Sequence, residues 1–129
     1  DLRSLAVEFL DNGGGVGDEA CAYCQGKRDE SSSDNPDKAI ISLKSDRETT
    51  YKVYIAVQNE LVAAYNELRN REFLRLNPNL GLNYVEAQKK YDDPRTSEDD
   101  REELKPMLDV VKQMYPQKLS EAESSSKSS

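Results

Sequence analysis

One run of seven residues, 38–44 (KAIISLK), carries the one clear strand signal in the chain. Ala39, Ile41 and Leu43 alternate with Ile40, Ser42 and Lys44, so one set can face a core while the other faces away. A strand cannot satisfy its own N–H and C=O groups, and even an isolated hairpin is marginal in water. The candidate neighbours are weak. Ser45-Asp46-Arg47-Glu48 reads as a turn, and Thr49-Thr50-Tyr51 has the β-branched and aromatic character of a short return strand. Residues 117–121 (QKLSE) alternate around a single apolar residue, and pattern alone does not make them a strand. Either the sheet uses strands outside this chain, or it pairs with another copy.

The helical signals are stronger. Residues 1–12 place Leu2, Leu5, Phe9 and Leu10 on one apolar face, and Asn12-Gly13 is a good stop because both residues tolerate the left-handed conformation. Val53, Val57, Leu61, Ala64 and Leu68 recur at spacings of 4, 4, 3 and 4. That spacing predicts a helix over 52–74, begun by Thr50 or Tyr51 and ended at the latest by Pro78, with Glu67 and Arg71 as a supporting i,i+4 pair. Leu104, Leu108, Val111 and Tyr115 predict another helix over 104–115, in which Pro106 must sit in the first turn or cause a kink. Between them, residues 77–103 are polar and irregular, with a possible helical piece at Tyr84, Gln88 and Tyr91. Ser97 with Asp100 resembles a capping box. Residues 13–37 form a long Gly/Ser-rich loop, and 124–129 (SSSKSS) a disordered tail.

Charge and composition narrow the function classes. The net charge is −7, apolar residues make up 36% and charged residues 33%. An acidic surface with no basic stripe argues against nucleic acid as a partner. The longest unbroken aliphatic run, Leu61-Val62-Ala63-Ala64, is far short of the ~18 residues that a spanning helix needs. The acidity is local. Residues 92–103 hold seven acids and two Arg, a net of −5, and read as a solvated loop or helix start. A calcium loop would want a Gly at its turn, and this run has Pro94 instead. The chain opens at Asp1 on an amphipathic pattern and contains no signal-peptide core, which reads as a mature fragment or a piece chosen for expression.

No catalytic set can be assembled. There is no His, the commonest general base and metal ligand. Gly13-Gly14-Gly15-Val16-Gly17 lacks the strand before it and the Lys-Ser/Thr after it that a phosphate-binding loop requires, so it reads as a flexible connector. Cys21-Ala22-Tyr23-Cys24 is a CxxC. Its two thiols can form a small structural disulfide that stiffens the loop, or lie idle in a reducing compartment. A thioredoxin-type redox centre wants the first Cys at a helix N-terminus, and a zinc site wants four ligands, so two chains would have to share one. Seven tyrosines are spread along the chain, and Tyr54 and Tyr65 sit at helical core spacing. No cofactor is expected.

Several segments together resemble the periplasmic domain of the ExbD/TolR biopolymer-transport proteins, in the form found in Bacteroidetes. They are LRSLAVEFLDNGGG, CAYCQGKRD, SSDNPDKAIISLKSDRETTY, VYIAVQNELVAAYNELR and YPQKLSEAE. The resemblance covers nearly all of 1–76 and 113–123, fits 77–112 loosely, and departs at Glu48, where the family hairpin more often carries Gly. It implies an α+β domain over 1–123, a small sheet packed on two main helices with a helical insertion at 77–103, whose first strand lies before Asp1. It also implies a single transmembrane anchor outside this chain and a place on the periplasmic side of the inner membrane. The partners implied are an ExbB-like membrane protein, a TonB-like protein and a second copy as a homodimer. The activity implied is non-enzymatic: an accessory subunit of a proton-gradient-driven motor that energises TonB-dependent outer-membrane transport. The family's proton-relevant carboxylate lies in the transmembrane helix, so no residue here inherits that role. Because the family sheet edge can pair with a second subunit or a partner peptide, Ile40, Ile41, Ser42 and Leu43 are the expected main-chain pairing edge, the competing reading being an internal core strand, since unpaired edges are usually blunted or covered. The alternatives are a CxxC redox or inter-chain zinc-binding protein, and a helical interaction module unrelated to transport.

Overall fold

The computed structural model describes residues 1–45 and 50–123. Its elements in chain order are α1 (Leu2–Leu10), β1 (Ile41–Ser45), α2 (Tyr51–Leu76), α3 (Tyr84–Asp92), α4 (Glu98–Met114) and β2 (Leu119–Glu123), with one short 3-10 turn at Gly17–Glu19. Helices dominate. Among the described residues the sheet is a single pair of strands, so the expected small sheet is reduced to a ribbon.

Each helix starts where a side chain can accept one of its orphan N–H groups. Asp1 accepts from the Ser4 N–H at the start of α1, and Thr50 Oγ1 accepts from the Val53 N–H at the start of α2. This overturns the short return strand. Thr50 is the cap of α2 and Tyr51 its first residue, because a hydroxyl at that position competes for the helix N–H groups more effectively than a three-residue strand competes for a partner. Of the turn expected at 45–48, Ser45 instead ends β1, and 46–48, like Thr49 of the expected return strand, lie outside the described residues. Asn83 and Glu86 close a reciprocal capping box that starts α3.

Ser97 caps α4 by accepting from the Asp100 N–H at 3.2 Å. The acidic run is therefore a helix start. Glu98, Asp99 and Asp100 occupy the first turn, where negative charge complements the macrodipole. The helix begins six residues before the periodic signal at Leu104, which places Pro106 in its interior. Pro106 is exposed, so the Glu102 carbonyl that loses its intrahelical donor faces water.

α1 and α2 run side by side in the same direction. Arg3 meets Glu60 at one end and Asp11 meets Arg71 at the other. Between them Ala6, Leu61, Ala64 and the strand residue Leu43 form one buried cluster. Leu10, Ala39, Tyr65, Leu68 and Tyr115 form a second. Phe73, Tyr84, Ala87, Leu104, Leu108 and Val111 form a third, where α3 and α4 fold back on the C-terminal half of α2. The predicted face of α2 is thus buried from Leu61 onward, while Val53, at the start of that face, is 54% exposed. Arg71 does not pair along the helix with Glu67 but turns to Asp11 and Glu72.

β1 shows the predicted alternation, with Ala39 and Leu43 buried and Ile40 and Ser42 exposed. The strand itself begins at Ile41 rather than 38. Its partner is β2, parallel, with Ile41 opposite Leu119 and Ser45 opposite Glu123. The three helices α2, α3 and α4 supply the crossover that parallel strands require. The weak alternation at 117–121, which pattern alone does not make a strand, becomes one from Leu119 because β1 supplies the partner. The expected tail at 124–129 lies outside the described residues.

The Gly/Ser loop is tied down rather than loose. Asn12 donates to the carbonyls of Asp29 (2.8 Å) and Ser33 (2.7 Å) and accepts from the Asp29 N–H (3.1 Å). The N–H groups of Gly14 and Gly15 donate to Ser33 and Asp34. A Cβ at Gly14 would collide with the Asp29 carbonyl and one at Gly15 with the Glu19 carbonyl. These glycines let one stretch of backbone lie against another, which corrects their reading as a flexible connector.

Candidate functional site

The four residues expected to form a pairing edge divide into two pairs. The Ile41 N–H donates to the Lys118 carbonyl at 3.0 Å. In a parallel ladder alternate residues of a strand bond to a given neighbour, so the main chains of Ile41 and Leu43 are turned toward β2. Those of Ile40 and Ser42 are turned the other way, to an edge on which no strand lies among the described residues. The side chains divide differently. Leu43 is buried at 9% exposure, Ile41 is half-buried, and Ile40 stands 59% exposed.

Beside this edge lies an open apolar groove of about 290 Å³, lined by Leu2, Leu5, Ala6, Phe9, Ile40, Ile41 and Leu61. It brings α1, α2 and the start of β1 together. Leu5 at 61% and Leu2 at 38% exposure belong to the predicted apolar face of α1, yet Ala6 and Leu10 are the residues of that helix that enter the core. The signal for the groove was present in the sequence. The stripe on α1 is broader than one helix contact can cover, and the excess is what lines the groove.

Away from the edge, the CxxC loop meets the ends of three helices. Cys21 and Cys24 are joined as a disulfide, with Cα atoms 5.5 Å apart, and both are buried. The Arg28 guanidinium donates to three carbonyls around it, those of Gly13, Cys21 and Cys24. At the apex, Tyr23 donates its hydroxyl to the Met114 carbonyl at 2.6 Å and sets its ring edge-on to Tyr115, 5.4 Å between centroids. Burial, followed by the nearby charges of Asp37, Glu72 and Asp11, pushes the Tyr23 phenol up to about 12.

A buried polar cluster backs this loop. Glu72, fully buried, accepts from Arg71 (2.9 Å) and Arg75 (2.8 Å). Asp11 accepts from the Tyr115 hydroxyl at 2.6 Å and from both terminal nitrogens of Arg71. Burial and then the bond to Asp11 hold the Tyr115 phenol well above its ordinary value. Arg69 donates through Nε and Nη2 to the Tyr115 carbonyl and lies over the Tyr84 ring, 5.3 Å from its centroid. These contacts are mutually satisfied, and their chemistry is that of a structural clamp. Asp11, Arg69, Arg71 and Glu72 were not singled out from the sequence as a cluster, because nothing in a linear pattern joins residue 11 to 71 and 115.

Among the described residues no group of three or more Cys, Asp or Glu side chains is placed to hold a metal ion, and no helix is long and apolar enough to cross a membrane. Comparison with protein-family models, with curated proteins and with solved structures finds no match to this chain.

Proposed function

We propose that this chain is a non-enzymatic protein-contact domain of the ExbD/TolR kind, and that the free edge of β1 receives a strand from its partner. The observation that carries this reading is the conjunction of the main chain at Ile40 and Ser42, unpaired among the described residues, with the apolar groove beside it. Strand addition draws affinity from main-chain hydrogen bonds and specificity from pockets for alternate side chains, and both are present at one place. An exposed edge with an apolar neighbour is otherwise a liability that proteins blunt or cover. A strand seated there would extend the β1–β2 ribbon into the small sheet of the family and bury Leu5 and Ile40. The segmental sequence resemblance supplies the rest. In this reading the full-length protein is anchored once in the inner membrane, faces the periplasm, dimerises, and works with an ExbB-like membrane protein and a TonB-like protein driven by the proton gradient.

The test is made on the full-length protein in its native cell. Fractionation should place it in the inner membrane, and purification should bring down a polytopic ExbB-like partner. A photocrosslinker at Ile40 should capture a TonB-like chain or a second copy. Recovery from the cytosol without a polytopic partner would reject the reading. The zinc alternative draws no support from free thiolates, because the two cysteines are joined to each other.

A further inference from the structure

The Cys21–Cys24 bridge brackets Tyr23, whose hydroxyl reaches the end of α4. Cys24 is confined on one side. Gly13, at φ +66°, lies so close that a Cβ there would come within 2.7 Å of the Cys24 Cβ. On its other side Cys24 borders a solvent-open depression of about 400 Å³ that is also lined by Ala22, Tyr23, Gln25 and Arg75. The bridge is thus packed against the exit of α1 and almost fully buried, with the depression on the side where Tyr23 stands.

Tyr23 does the work of a helix cap. The last carbonyls of a helix have no intrahelical donor. At the end of α4, the Met114 carbonyl receives the Tyr23 hydroxyl and the Tyr115 carbonyl receives Arg69. Arg71 also reaches the Tyr23 carbonyl at 3.4 Å. Only a short link separates this cap from β2, and Lys118 within it supplies the carbonyl that anchors Ile41. The cap therefore shares in setting the direction in which the chain leaves α4 to pair with β1, together with the Arg69 bonds and the Tyr65 hydroxyl that accepts from the Lys118 N–H.

We propose that the Cys21–Cys24 bridge is a dithiol-reducible latch: closed, it seats Tyr23 on the end of α4 and so holds β2 against β1, and open, it releases both. The reductant is a dithiol. Its thiolate attacks Cys24 Sγ from the depression, the Cys21 thiolate leaves and takes a proton, and a mixed disulfide forms. The second thiol of the reductant then closes its own disulfide and expels the Cys24 thiolate, which takes the second proton in the depression that Cys24 and Arg75 both line. Two electrons and two protons pass from the dithiol to the chain. The freed sulfurs must separate to non-bonded contact. Gly13 blocks Cys24 on one side, so it moves into the depression and displaces Tyr23. The inference does not depend on what the ribbon binds.

The protein would be reduced with dithiothreitol without denaturant, alkylated, and compared with the oxidised form by amide hydrogen exchange. The expected result is exchange about tenfold faster over 115–123, the scale of one lost hydrogen bond, with the amides of α3 and of α4 around Leu104 unchanged. A Tyr23→Phe variant with its bridge intact should loosen the same segment in the same direction. Unchanged exchange over 115–123 after reduction would overturn the proposal. So would a bridge that resists the dithiol, a reduced chain that unfolds throughout, or a Tyr23→Phe variant indistinguishable from the parent.

Discussion

Arg71 and Asp11, 60 residues apart in sequence, face each other through two hydrogen bonds, Nη1 to Oδ2 at 2.7 Å and Nη2 to Oδ1 at 3.1 Å. Asp11 is the C-terminal cap residue of α1 and Arg71 lies in the last third of α2, so the pair fixes the alignment of the two helices that flank β1. The same guanidinium reaches Glu72 and the Tyr115 hydroxyl, which ties that alignment to the end of α4.

Arg71→Met is expected to destabilise the fold by about 2–4 kcal/mol, because it leaves the nearly buried Asp11 carboxylate with one partner fewer. Arg71→Lys should recover only part of that loss, since an ammonium cannot make the forked contact. Urea unfolding with unchanged slope would measure both. Equal stabilities for Lys and Met would show that shape, not the fork, matters there.

Stability should fall on the alkaline side. The phenols of Tyr23, Tyr65 and Tyr115 are all raised in the folded chain, Tyr23 to about 12, chiefly by burial. The unfolded chain gives up its phenol protons first, near pH ~10. The contribution of these groups is therefore complete below that pH and is lost as pH rises through the folded values. Helical circular dichroism and phenolate absorbance should change together between about pH 10 and 12. Phenolate forming at all seven tyrosines while the helices persist would contradict this.

Ile40→Lys should separate folding from binding. Ile40 is largely exposed, so its replacement is expected to change stability by no more than ~0.5 kcal/mol. A lysine on a strand edge discourages pairing. Crosslinking to a partner strand should fall sharply while thermal unfolding stays in place. A variant that binds undiminished would remove this edge from the proposed contact.

Pro106→Ala is expected to stabilise. The residue sits in the interior of α4 on the exposed side, where proline removes one backbone bond and crowds the preceding turn. Restoring the N–H should yield about 1–2 kcal/mol after the greater freedom of the unfolded alanine chain is discounted. Chemical denaturation checks the value, and a loss of stability would mean that α4 needs the irregularity.

The sequence by itself determined whatever depends on neighbours a few residues away. The 3–4 spacing of α2, the cap at Ser97, the stop after α1 and the alternation of Ala39, Ile41 and Leu43 can all be read locally, because helix and strand periods and capping bonds span at most four residues. The tertiary structure decided the rest. Residues 119–123 are a strand only because β1 presents a matching edge. Thr50 is a cap because α2 has a body to pack against. The Arg71–Asp11 clamp and the Tyr23 cap on α4 arise from residues that a linear pattern cannot join, and the groove needs β1 and α2 beside the broad apolar stripe of α1 that the sequence does show. A hydrogen bond or an apolar contact needs atoms within a few ångströms, and only the folded chain brings these together.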